Sequence, residues 1–195
     1  MLAPTEIFVQ AGRHAMKPHV SFVLLATILM LAGRVAHAAG QGEWKKFTLE
    51  TPYLAIDMPG TPEKTLKQSH SFIGDVTTEE YSVDDGIDTY SVEVTELPRF
   101  AVRFAGADTI YDHAKGMLLT KTLSKAISFT DVTLDGVNGK RLVYDTPTKP
   151  GHAEMQGEAR VFLSGDWLYV ADAVVEMQGG EPKLERFFSS FAIDK

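Results

Sequence analysis

Three turn motifs constrain this chain more than anything else in it. Asp84-Asp85-Gly86, Asp135-Gly136-Val137-Asn138-Gly139 and Ser164-Gly165-Asp166 each separate two runs of β-character. Asp-Gly between such runs predicts a tight hairpin, because these residues accept the positive φ that both central positions of a type I′ turn require. Hairpins make antiparallel neighbours, so three of them commit the chain to a mostly antiparallel sheet. The paired runs are Val76 to Val83 with Ile87 to Leu97, Ile127 to Leu134 with Lys140 to Asp145, and the two arms of Glu158 to Val175. Tyr90, Val92 and Val94 alternate with Ser91, Glu93 and Thr95, which buries one face and wets the other. Upstream, Trp44 to Leu49 and Tyr53 to Met58 read as strands, the second ended by Pro59-Gly60-Thr61-Pro62.

Two segments follow the helical period instead. From Asp108 to Ser124, Ile110, Ala114, Met117 and Leu118 share one face, with Asp108 placed to cap and Asp112 near the positive end of the dipole. Gly116 weakens that helix by about 1 kcal/mol relative to alanine. From Glu181 to Phe191, Pro182 sits in a first turn, and Leu184, Phe187, Phe188 and Phe191 fall at i, i+3, i+4 and i+7. Those four are expected to pack on the sheet. The fold class is α+β: a mostly antiparallel sheet built of hairpins, with one internal and one C-terminal helix packed on it.

Several short motifs carry a resemblance. They are Trp44, Phe47, Tyr53-x-x-Ile56-x-Met58-Pro59-Gly60-x-Pro62, Gly139-Lys140-Arg141, Gly165-Asp166-Trp167-Leu168-Tyr169 and Phe187-Phe188-Ser189-Ser190-Phe191. Together they resemble small exported bacterial proteins of unknown function, whose layout is similar to the PsbP-type α/β/α sandwich. The resemblance implies that fold and an auxiliary or binding role. It carries no catalytic residue.

The longest apolar run, Val20 to Ala32, is shorter than the about 20 residues a membrane-spanning helix needs. Lys17 before it and Ala36-His37-Ala38 after it complete the pattern of a cleaved secretory signal. Residues 1–38 are thus expected to be an N-terminal extension plus signal peptide, with translation starting at Met1 or Met16 and cleavage near Ala38. Residues 39–195 are expected to form a single periplasmic or secreted domain. Of 19 basic and 26 acidic residues in the chain, this leader holds Arg13, Lys17, Arg34 and Glu6, so the remainder carries a net charge of −9. Its lysines and arginines are scattered, which argues against nucleic acid or an anionic lipid surface as partner. The chain has no cysteine, which excludes disulfides, thiol nucleophiles and a lipidated cysteine.

Site motifs are sparse. His152 with Glu154, and His113 with Asp112, fall short of the three or four spaced ligands a metal wants, so no metal and no cofactor is expected. Asp84-Asp85-Gly86-Ile87-Asp88 lacks the spacing of a calcium loop. No Gly-x-Ser-x-Gly, Ser-x-x-Lys or glycine-rich phosphate loop occurs.

The third hairpin says more. A two-residue turn at Gly165-Asp166 pairs Ser164 with Trp167, Phe162 with Tyr169 and Arg160 with Ala171 on one face. Val161, Leu163, Leu168, Val170 and Val174 take the other, with Asp172 the exception. If the aliphatic face meets the helices, then Phe162, Trp167, Tyr169 and Arg160 either form a partner-binding patch or are covered by the segment around Trp44 and Phe47. Three functions stand on this reading. The first is a non-enzymatic binding or assembly protein of the cell envelope, its partner a protein, glycan or envelope component. The second is a carrier of a small apolar ligand held between sheet and helix, in a cavity lined by Phe187, Phe188 and Met117. The third is a hydrolase-like enzyme using His152 or His113.

Overall fold

The computed structural model describes residues 42–71, 74–147 and 153–193. The leader, His152 and the side chain of His70 lie outside the described residues. In chain order the elements are β1 (Trp44–Glu50), β2 (Tyr53–Pro59), β3 (Glu63–Ser71), β4 (Gly74–Asp84) and β5 (Thr89–Glu96). Then come α1 (Arg99–Ala105), α2 (Ala107–Thr122), β6 (Lys125–Leu134) and β7 (Val137–Asp145). The chain ends with β8 (Met155–Ser164), β9 (Trp167–Glu176), α3 (Glu181–Ser189) and β10 (Ala192–Ile193).

Two sheets result where the turn pattern suggested one. The larger has the order β3-β4-β5-β9-β8-β7-β6, and every neighbouring pair in it is antiparallel. The smaller is β1-β2-β10. Alternation along each central strand feeds two cores on opposite faces of the large sheet. On one face Tyr90, Val92, Val94, Phe162, Tyr169 and Ala171 meet Leu54, Ile56 and Met58 of β2 and Phe187, Phe188 and Phe191 at the end of the chain. On the other, Leu142, Tyr144, Val161 and Val170 meet Tyr111 and Leu118 of α2, while Leu97, Ala101 and Ile110 tie α1 to its neighbours. The architecture is an α+β sandwich, with the small sheet and α3 on one face of the large sheet and α2 on the other.

The turns behave differently from one another. Asp135 and Gly136 have φ of 50° and 89°, the positive pair of a type I′ turn, so Val137 to Gly139 belong to β7 rather than to the loop. Ser164 pairs with Trp167 across the expected two-residue turn. The first hairpin departs from expectation: Asp84 pairs with Thr89, leaving a four-residue connection. Asp85 Oδ1 accepts from the N–H groups of Ile87 and Asp88 and holds this loop in place of a type I′ turn.

Helix α2 starts after Gly106 with no side-chain cap, and Asp108 lies inside its first turn, where it still favours the dipole. Its buried residues are Ile110, Tyr111 and Leu118, with Tyr111 in the place expected of Met117, which is half exposed. It closes on Leu123 at φ 54°, with Ser124 N–H donating back to Leu119 O. Three elements have no counterpart in the sequence reading: α1, β3 and β10.

Candidate ligand pocket between helix α2 and the sheet

The third hairpin has the expected register, with Phe162 opposite Tyr169 and Arg160 opposite Ala171. Its aromatic face is nonetheless not a surface patch. Phe162 and Tyr169 are each 1% exposed, and Trp167 is packed against the same core from its edge. Phe191 packs on Phe162 with ring centres 5.9 Å apart, while Trp44 packs on Tyr90 and Phe47 on Tyr81. Arg160 lays its guanidinium over Phe188 at 4.5 Å and donates from Nε to Glu158 Oε1 at 3.1 Å. Burial in a second layer, which strand periodicity alone does not disclose, decides between the two alternatives in favour of covered aromatics and against a surface patch.

The open space lies on the opposite face. A cavity of about 160 Å³ sits between α2 and the sheet. Val76, Leu97, Ala114, Met117, Leu118, Leu168 and Val170 make its walls apolar. Thr78 and Thr95, whose hydroxyls are 2.7 Å apart, lie among them. Phe187 and Phe188, expected to line such a cavity, belong to the other core; of the three residues expected there, only Met117 reaches it.

Its polar end is a network contributed by four elements. Lys121 of α2 donates to Glu80 Oε1 at 2.7 Å and to Glu93 Oε1 at 3.0 Å. Lys67 of β3 pairs with Glu80 and, at 3.5 Å, with Glu93. Burial raises the Glu80 carboxyl, but Lys121 and Lys67 outweigh that and hold it below its ordinary range. Burial lowers Lys121, yet Glu93 and Glu80 more than compensate and leave its pKa raised. Beside this network Asp172 of β9 accepts a hydrogen bond from Tyr144 Oη at 2.6 Å. Asp172 lines the cavity and is only partly exposed. That burial, with Glu93 and Glu80 nearby, pushes it up to about 7 against the pull of Tyr144 and Lys121.

The raised carboxyl has a consequence for stability. With its folded pKa above the unfolded value, Asp172 supports folding fully below about pH 4, and that support is lost as pH rises through 7. Asp172→Asn keeps an oxygen that can accept from Tyr144 and removes the charge. At pH 8 it is expected to be more stable than the parent by on the order of 2 kcal/mol, allowing for water in the cavity. The advantage should open between about pH 4 and 7 and level off above. Urea unfolding at pH 4.5 and pH 8 checks this; an equal difference at both rules out the shifted carboxyl.

Asp172 was visible in the sequence as the break in an aliphatic face, but its partners come from strands and a helix far along the chain. His113, read as a metal or hydrolase candidate, lines the same cavity. Asp112 beside it accepts from Lys115 at 2.6 Å on the exposed side of α2. Among the described residues no three His, Asp or Glu side chains converge as metal ligands. A larger polar depression, on the order of the 640 Å³ that its lining encloses, lies on the other face by Phe188. Its two arginines, Arg141 and Arg160, are both taken by the buried Glu158, and Glu176, Glu181 and Glu185 line it further.

No family model matches this chain, and no curated protein matches it. Among solved structures it is similar to cyanobacterial PsbP (CyanoP) from Synechocystis sp. PCC 6803, at 14% identity and a TM-score of 0.54, over 77% of this chain and 92% of that one. A protein from Bacteroides thetaiotaomicron VPI-5482 matches at 11% identity and a TM-score of 0.46, over 80% of this chain and 49% of that one. PA94 of Pseudomonas aeruginosa, of unknown function, matches at 8% identity and a TM-score of 0.39, over 79% of this chain and 99% of that one. At these identities the likeness to CyanoP is one of fold.

Proposed function

We propose that this is an exported, non-enzymatic binding protein whose site is the cavity between α2 and the sheet. One observation carries the reading: apolar walls around a charged end, left unfilled where protein interiors are otherwise packed densely. A pocket that also holds a carboxyl with a strongly displaced pKa is where a ligand site is first sought. The volume, near the roughly 150 Å³ of a cavity that takes benzene, suits a ring or short chain of about six to nine heavy atoms. Export is supported by the leader pattern. Among the described residues no helix is long and apolar enough to cross a membrane. A chain recovered from the periplasm of an expression host should have the mass of residues 39–195; a retained leader speaks against export by cleavage.

Benzyl alcohol is the probe for the pocket. Its titration should move the methyl signals of Met117, Leu118, Leu168 and Val170 saturably, with a Kd on the order of 1 mM. Ala114→Leu, which extends a side chain into the space, should abolish those shifts. Shifts that are absent or that never saturate in the parent protein overturn the reading.

A further inference from the structure

We propose that the ligand of this pocket is a small amine: an apolar body whose protonated nitrogen rests against Asp172. This builds on the binding reading above and names its chemical class. The groups that meet at the polar end are Lys67 from β3, Glu80 from β4, Glu93 from β5, Tyr144 from β7, Asp172 from β9, and Lys121 and His113 from α2. Three carboxyls face two lysines. Both lysines bridge the same two glutamates, which leaves Asp172 with the Tyr144 hydroxyl and no cation of its own among these contacts.

An anion entering here must draw a lysine away from a glutamate while approaching two carboxylates in a poorly hydrated space. A neutral ligand leaves Asp172 as it was. An ammonium supplies the missing positive charge and donates to a carboxylate at the end of an apolar cavity, where such a charge-assisted bond is strong. Burial, with Glu93 and Glu80 nearby, raises the pKa of Asp172, and a buried carboxyl that has no cation holds a proton in its place.

The proton balance follows. The amine arrives as its ammonium form, and where Asp172 was protonated its proton leaves to solvent as the ion pair forms. Affinity for the amine should therefore fall as pH drops below 7, by up to about tenfold per unit. His113 also lines the cavity, so the substitution that assigns the pH dependence is at Asp172.

Three probes of nearly equal size decide it: benzylamine, benzyl alcohol and benzoate, each titrated into the purified protein at pH 6 and pH 8 and followed by the methyl signals of Met117 and Val170. Benzylamine is expected to bind at least tenfold tighter than the other two at pH 8 and to lose about tenfold by pH 6. Asp172→Asn should cost benzylamine at least tenfold at pH 8 and flatten its pH dependence. Benzyl alcohol or benzoate binding as tightly as benzylamine at pH 8 overturns the amine assignment and leaves the pocket standing. If none of the three binds, both fall. Benzylamine binding that survives Asp172→Asn and Ala114→Leu unchanged marks attraction to an acidic surface and overturns the assignment.

Discussion

Gly157→Ala is expected to destabilise the domain by about 3 kcal/mol, at the upper end of what one added methyl group costs in a packed interior. Gly157 on β8 lies directly opposite Tyr144 on β7, and the tyrosine ring crosses the space where a side chain would stand. A Cβ at position 157 would lie 2.0 Å from Tyr144 Cζ and 2.1 Å from its Cε2. The ring is fully buried. Moving it also withdraws the hydroxyl from Asp172, leaving a buried carboxyl without its donor. Urea unfolding measures the loss, and Gly157→Ala combined with Tyr144→Leu should cost less than the two changes summed, because the second removes the clash. Strict additivity would show that the ring is not what excludes a side chain there.

Asp88→Ala should cost about 3 kcal/mol, and Asp88→Asn roughly half that. Asp88 is the last residue of the four-residue connection between β4 and β5, and its side chain is 0% exposed. Oδ1 accepts from the backbone N–H of Glu176 at 3.0 Å, where β9 ends. Oδ2 takes the Lys183 ammonium of α3 and, at 3.4 Å, the hydroxyl of Tyr90. Burial and the negative charges of Asp88 and Asp85 raise the pKa of Tyr90, so its hydroxyl stays protonated and able to donate. Alanine strands an N–H, an ammonium and a hydroxyl together, whereas asparagine still accepts from Glu176 while losing the charge opposite Lys183. Equilibrium unfolding of both variants tests the clasp; a loss under about 1 kcal/mol for alanine would mean that water replaces it at little cost.

These two sites mark the boundary of what a single sequence discloses. A two-residue turn sets register by geometry alone, so the pairing of Phe162 with Tyr169 and of Ser164 with Trp167 could be read to the residue. Alternation likewise sorted Val161 and Val170 from Tyr169. It says which side chains share a face but not what lies over that face, and here both faces of the sheet are covered. Strand β3 escaped because it is an edge strand with Lys64 and Lys67 reaching to carboxylates on its neighbours rather than apolar residues alternating. Helix α1 escaped because its pattern is inverted: Ala101 points inward, while Phe100 and Phe104 stay exposed. Asp88 looked like a turn residue and is one, yet its stabilising contacts reach β9 and α3, which no local motif announces. The cavity was anticipated between sheet and helix, but against the wrong helix, since an apolar stripe as strong as Phe187 and Phe188 marks a filled core rather than an opening.

The pairing of β5 with β9 governs how the domain comes together. Strands β3 to β5 close on one another through short connections, as do β6 to β9, whereas β5 and β9 lie on either side of roughly 70 residues whose ends must first be brought together. Two ladders that assemble locally thus join along one seam, with α2 lying over it. The cavity straddles that join, taking Glu93 and Thr95 from one ladder and Val170 and Asp172 from the other. An occupant there would touch both halves, so its binding would favour the joined state over the parted one.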